Sequence, residues 1–297
     1  MKMHSTSVGS NSFTVTVADV TIKVITPHKV KITERFLPFL SENKPDFVAE
    51  FIEVEELTKP TGKCLYEETA LAVYKNQNGE FVRCFRDAAK DNKIYAIGHY
   101  DFKNKSCRIE YLPYSGQFIS ESGNSFFHIA FETLLLHQNR LILHSSSVIT
   151  DKGTILFSGR SGIGKSTQAD LWRQYEGAEL LNGDRTILCQ NNSLWTAYGS
   201  PYAGSSRCYV NKSSPVRAIV MLGQSEKCSI SRLSGKEAFY KIFQEITVNS
   251  WDTECVQKSC DLLTKLVGKV PAYEFGCTPD KAAVTMLKSV LKGDYDE

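Results

Sequence analysis

No stretch of this chain stays apolar for the ~20 residues that a membrane-spanning helix needs, so a helical membrane protein is not expected. An excess of either charge is lacking too. Lysine and arginine number 35 against 33 acidic residues, a formal net charge of +2, which gives no electrostatic footprint for nucleic acid or an acidic membrane as the main partner. Cysteine pairs are missing: the nine cysteines are odd in number and scattered, and the closest two, Cys255 and Cys260, have no neighbouring pair. Neither a disulfide framework nor a zinc site follows, and reduced thiols in a cytosol are the expectation. The start, Met1-Lys2-Met3-His4-Ser5, leads into polar residues without an apolar signal segment, which also points to a soluble, cytoplasmic protein. Repeats and low-complexity tracts are absent. What remains is 42% hydrophobic and 23% charged over 297 residues, enough to bury a core in two modest domains or one large one.

Residues 11–25 alternate apolar and polar side chains about Asp19, the pattern of two short strands and a turn. Phe47 to Val54, Leu71 to Tyr74, Phe81 to Phe85, Ile94 to Ile97 and Arg108 to Leu112 continue the strand pattern, and Asn76-Gln77-Asn78-Gly79 carries a hairpin signal. Residues 1–120 therefore read as a mostly antiparallel β domain without a motif that carries chemistry. From Ser122-Gly123-Asn124 an apolar stretch, Phe126 to Leu136, reads as one buried helix, in which His128 is a packed core residue rather than a ligand. Beyond it strands alternate with helical patterns, so the fold class is α+β, with a second domain over 121–297. Strands are expected at Leu141–Ile149 and Val216–Leu222, a hairpin about Asn191-Asn192, and an amphipathic helix from Gly235 to Ile246. A last helix is expected after Thr278-Pro279-Asp280, with Thr278 as its cap.

The second domain contains Gly159-Arg160-Ser161-Gly162-Ile163-Gly164-Lys165-Ser166-Thr167. An apolar run, Thr154 to Phe157, precedes it and a helical pattern follows, which is the strand, loop and helix order of a phosphate-binding P-loop. Glycines allow successive backbone N–H groups to point at one anion, and the helix adds the positive end of its dipole. Lys165 suits the β- and γ-phosphates of a nucleotide, and the Ser166 hydroxyl suits Mg²⁺.

Leu143-His144-Ser145-Ser146-Ser147, this loop, and Leu180-Leu181-Asn182-Gly183-Asp184 together resemble the HPr kinase and ATP-dependent phosphoenolpyruvate carboxykinase superfamily, over roughly residues 141–222. The resemblance implies a P-loop kinase core, with Lys165 as the phosphate lysine and Ser166 as the metal-binding hydroxyl. It implies that His144 is the active-site histidine, a metal ligand in the carboxykinases and a neighbour of the reacting phosphate in the kinases. Asp184 matches the second of the family's paired aspartates, the one associated with Mg²⁺. Gly183 stands where the first, the proposed general base of HPr kinases, would be. The base is then Asp184, His144 or a group from elsewhere. The Glu-x-Arg-Gly signature of HPr kinases is absent, the β-rich first domain departs from the α/β domain expected there, and a carboxykinase would be much longer. The chain is thus similar to a relative with its own acceptor, as in peptide-modifying kinases that phosphorylate a serine of a small precursor.

Gly199 to Arg207 is rich in small residues and ends in a cation, so Arg207 either stabilises transition-state charge or belongs to an ordinary loop. Tyr273 reads as a packed strand aromatic rather than an adenine stack. The function expected is transfer of the γ-phosphoryl group of ATP, with Mg²⁺, to a hydroxyl, with a serine of a peptide or protein foremost and the β domain recognising the acceptor. The alternatives are a nucleotide-binding regulatory or scaffold module with little catalysis, and a kinase of free serine or a similar metabolite. Partners on this reading are a nucleotide and the acceptor, with a homo-oligomer as a further option, and neither nucleic acid nor a membrane.

Overall fold

The computed structural model describes residues 11–293. The chain divides into two compact units, the first ending at His137 and the second beginning at Gln138. In the first, the period-two alternation of Phe13, Val15 and Val17 with threonine forms β1 (Ser12–Val17). It pairs antiparallel with β2 (Val20–Ile25) across Ala18 and Asp19, both at positive φ as a two-residue hairpin turn requires. β3 (Phe47–Glu53), β4 (Lys63–Glu67), β5 (Leu71–Lys75), β6 (Phe81–Asp87), β7 (Lys93–Asp101) and β8 (Ser106–Tyr111) complete a sheet in the order β1-β2-β3-β8-β7-β6-β5-β4. β2–β3 and β3–β8 are parallel and the other neighbours antiparallel. β4 escaped the sequence reading because it is a polar, largely exposed edge strand without alternation.

Two expectations are corrected beside this sheet. The single helix over Phe126–Leu136 is two, α1 (Ser122–His128) and α2 (Phe131–His137), because Ala130 at φ 56° ends helical continuity. The division expected between residues 120 and 121 falls after His137 instead, and α1 and α2 bond into the first unit through Thr33, Arg83, Tyr95 and Tyr100. His128 is 1% exposed; its Nδ1–H donates to the Asn124 carbonyl at 2.7 Å, and its Nε2 accepts from the Tyr95 hydroxyl at 3.0 Å. Its ring lies 4.4 Å from that of Phe85, the packed position expected for it. Arg83, also buried, bonds Glu132 and Thr133 of α2, each at 2.7 Å.

The second unit runs β9 (Arg140–Thr150), β10 (Gly153–Ser158), α3 (Lys165–Glu176), β11 (Glu179–Asn182), β12 (Arg185–Asn191), β13 (Leu194–Tyr198), β14 (Ser213–Gln224), β15 (Ser229–Arg232), α4 (Gly235–Phe243), α5 (Thr253–Val267), β16 (Ala272–Cys277) and α6 (Lys281–Gly293). The strand order is β10-β9-β12-β13-β14-β16-β15, and β14 also pairs with β10. β14 takes β13 as partner through residues 213–215 and β10, in parallel, through 216–221, so five strands close on themselves. α3 buries Lys165, Gln168, Ala169 and Trp172, a helical stripe at i, i+3, i+4 and i+7. Ala169 and Trp172 join Val284 and Leu287 of α6 over Phe157, Val220 and Phe275 of the sheet.

α6 is capped by Asp280, whose carboxylate accepts from the Ala282 and Ala283 N–H groups, while the Thr278 hydroxyl that was expected as cap donates to Asp280. A serine and glutamate capping box, Ser234 with Glu237, starts α4. Among the described residues no helix is long and apolar enough to cross a membrane.

Candidate functional site

Strand register brings together the three motifs that lie apart in the sequence. β9 is the common partner. On one edge, β11 and β12 run along it with Gly183-Asp184 as the interruption between them, Asn182 opposite Ser147 and Arg185 opposite His144. On the other edge β10 ends with Ser158 opposite Ser145, immediately before the glycine loop. The Ser158 hydroxyl donates to the His144 carbonyl at 2.8 Å, and the Ser145 N–H donates to the Asp184 carbonyl at 2.9 Å.

The loop has the torsions its glycines permit: φ is 135° at Gly159, 78° at Gly162 and 111° at Gly164. Side chains rarely adopt these values. A Cβ built at Gly162 or Gly164 would meet nothing within 4 Å, so the loop encloses open space rather than protein. Arg160, Ser161, Gly162, Ser166 and Thr167 are exposed, whereas Gly159 and Ile163 are buried against the sheet. α3 begins at Lys165 without a side-chain cap on its first amides, which leaves the helix start to an anion. Lys165 itself is only 8% exposed, and its ammonium donates to the carbonyls of Gly159 at 2.8 Å and Arg160 at 3.1 Å. Burial pushes its pKa down, and the nearby Glu245 and Asp184 carboxylates oppose that.

Asp184 is held by a residue the sequence reading passed over. Asn182 is fully buried, and its side-chain oxygen accepts the N–H groups of Asp184 at 2.8 Å and Arg185 at 2.7 Å. Its amide nitrogen donates to the carbonyl and hydroxyl of Ser200. One side chain thereby sets the turn that presents Asp184 and ties it to the loop from Gly199 to Arg207. That loop forms a helical turn, Gly204–Ser206, packed so closely on Asp184 that a Cβ at Gly204 would lie 3.0 Å from the Asp184 Cβ. Arg207 closes the turn at φ 51° with its side chain exposed.

His144 sits between two acids. Its Nε2 is 3.5 Å from Asp184 Oδ1, and its Nδ1 is 3.2 Å from Glu245 Oε2. Glu245 is the functional candidate that sequence reasoning missed. It follows the C-cap of α4, where carbonyl dipoles disfavour an acid, and that misplacement was the available signal. Tyr273 is buried in β16, the packed strand aromatic expected. Among the described residues no cluster of three or more His, Cys, Asp or Glu side chains is set to hold a metal by itself. Ser166 and Asp184 offer a hydroxyl and a carboxylate, oxygen donors of the kind that Mg²⁺ favours.

No protein-family model matches the chain, and no curated protein does. Among solved structures, the Hpr(Ser) kinase/phosphatase from Coxiella burnetii aligns with 52% of this chain and 90% of its own, at 15% identity and a TM-score of 0.32. That is a distant likeness, too low to decide the fold or the activity.

Proposed function

We propose that the second unit is an ATP- and Mg²⁺-dependent phosphotransferase of the HPr-kinase-like type, which moves the γ-phosphoryl group to a hydroxyl, a serine of a peptide or protein foremost. The observation that carries this reading is the register that sets the start of the open glycine loop beside His144, with Asp184 and Glu245 on either side of its imidazole. Phosphoryl transfer asks for positioning and for charge to offset the phosphate oxygens; these side chains supply the first and Lys165 the second.

In this reading the loop amides from Gly159 to Thr167 and the start of α3 hold the phosphates, and Lys165 offsets their charge. Ser166 and Asp184 would hold Mg²⁺, which would supply positive charge to offset the charge that develops on the phosphate oxygens. His144 takes the proton of the acceptor hydroxyl, its Nε2 lying 3.5 Å from Asp184 Oδ1. Arg207, exposed at the end of the turn that packs on Asp184, meets the transferred group. The serine preference comes from the resemblance of the motifs. A second reading, a nucleotide-binding regulatory module, is favoured by Gly183, which removes one of the family's two carboxylates. The test is incubation with γ-labelled ATP and Mg²⁺ against separate peptide, protein and metabolite pools. Label in peptide or protein is the expected result. Label confined to a small metabolite moves the acceptor class, and bound nucleotide with no label transferred leaves the regulatory module.

A further inference from the structure

Gly183 is not an empty place waiting for a carboxylate. A Cβ there would lie 2.1 Å from the Ser206 hydroxyl oxygen, 2.4 Å from the Ser206 Cβ and 3.0 Å from the Ala203 carbonyl. The helical turn Gly204–Ser206 occupies the space, so this fold cannot carry an aspartate at position 183 without moving that turn. The second acid of the site has to enter from another element.

Glu245 does so. After α4 the chain continues along the edge of β9: the His144 N–H donates to the Glu245 carbonyl at 2.9 Å, the Thr247 N–H donates to the Ile142 carbonyl at 2.9 Å, and Ile246 bridges Leu143. These bonds bracket Glu245 and fix its backbone against the backbone of His144. Its side chain is 14% exposed, less than half the exposure of Asp184 at 32%, and Oε2 lies 3.2 Å from His144 Nδ1. Burying a carboxylate behind the carbonyl end of a helix is unfavourable unless a donor compensates it, and the imidazole N–H is that donor.

We propose that Glu245 is the positioning residue for His144 and does for this site what a carboxylate at 183 cannot; the inference rests on the kinase reading above. A carboxylate only accepts, and of the two beside the ring Glu245 stands nearer, 3.2 Å from Nδ1 against 3.5 Å for Asp184 at Nε2, so Nδ1 carries the ring proton and Nε2 keeps the lone pair for the acceptor hydroxyl. In the transfer step Nε2 takes the proton of the acceptor hydroxyl as its oxygen bonds to the γ-phosphorus. The bond from that phosphorus to the bridging oxygen breaks, and ADP leaves with the electron pair. The imidazolium formed faces the Glu245 carboxylate, which stabilises it as the buried acid of a carboxylate, histidine and hydroxyl triad does.

The experiment has two readouts on the full chain. ¹⁵N NMR of histidine-labelled, nucleotide-free protein reads the His144 tautomer, assigned through His144→Gln. Nδ1–H is expected in the wild type, with reversion to the ordinary Nε2–H form in Glu245→Ala. An Nε2–H wild type, or an unchanged tautomer in Glu245→Ala, overturns the inference. Single-turnover transfer from γ-labelled ATP with Mg²⁺ to a pool of serine-containing peptides should fall about a hundredfold in Glu245→Gln. Nucleotide affinity should stay within about twofold, and Glu245→Asp should recover part of the rate. Equal transfer by wild type and Glu245→Gln overturns the inference alone. No transfer by the wild type, in the presence of bound nucleotide, sinks the kinase reading and the inference with it.

Discussion

Acid should weaken the first unit through one residue, His128. Burial holds its imidazole neutral and pushes its pKa down from 6.5 to about 4, against a smaller opposing effect of the Asn124 carbonyl. In the unfolded chain the ring takes up its proton near pH 6.5, so between pH 6.5 and 4 the unfolded state binds more protons than the folded one. The stabilising contribution is complete above pH 6.5 and is lost as the pH falls toward 4, about 3 kcal/mol in all. About 2 kcal/mol of that should be gone at pH 5. His128→Gln keeps an amide to donate to Asn124 and an oxygen to accept from Tyr95, but cannot titrate. The variant should be the less stable protein at pH 7, and its deficit should shrink by about 2 kcal/mol at pH 5. Hydrogen exchange in β6 and β7, which supply Phe85 and Tyr95, measures this locally. All three tryptophans lie beyond His137, so their fluorescence in urea melts is a control on the second unit. A deficit that stays constant from pH 7 to pH 5 would refute the reasoning, because the ring would then titrate alike in folded and unfolded chains.

Three further outcomes concern the second unit. Asn182→Ala leaves two part-buried amides without their acceptor and should cost about 2 kcal/mol in urea melts followed by tryptophan fluorescence, whereas a loss under about 0.5 kcal/mol would mean the turn before Asp184 holds itself. Gly183→Asp, which places a second carboxylate beside Asp184, should bring no gain in transfer and should destabilise by about 1–3 kcal/mol, because Ser206 is in the way; a stable variant with faster turnover would show that the turn yields. Asp184→Asn should lose most of its transfer rate and regain part of it at high Mg²⁺; a loss that persists at saturating Mg²⁺ with nucleotide still bound would make Asp184 the proton acceptor instead.

Local chemistry was legible and long-range chemistry was not. β10, the loop and α3 could be read because an apolar run, three glycines and a helical stripe are adjacent in the sequence. The hairpin of β12 and β13 was announced by Asn191-Asn192, and β9 by its apolar run. His144 and Asp184 were singled out by the resemblance of their motifs to the HPr kinase and carboxykinase superfamily, and register then accounts for their meeting. Glu245 was out of reach because its place depends on a β-bridge formed about a hundred residues from its partner strand, and no periodicity encodes that. The same holds for β14, whose two halves pair with different strands, and for the filling of the Gly183 site by Ser206. α5 is missing from the sequence reading, although Asp252 caps it and Leu262, Leu263 and Leu266 are buried, because its Cys, Lys and Thr content diluted the apolar stripe.

The claim on which the function turns is that the loop from Gly159 to Thr167 binds nucleotide phosphates with Lys165 as their charge partner. Calorimetric titration of the full chain with ATP and Mg²⁺, in wild type and Lys165→Ala, tests it directly. Removing the ammonium leaves the glycine cradle and the start of α3 in place but deletes a charge-assisted contact, so binding should persist in the variant and weaken by about ten- to a hundredfold. Equal affinity in the two proteins, or no nucleotide binding by the wild type, would contradict the phosphate site and every role assigned around it.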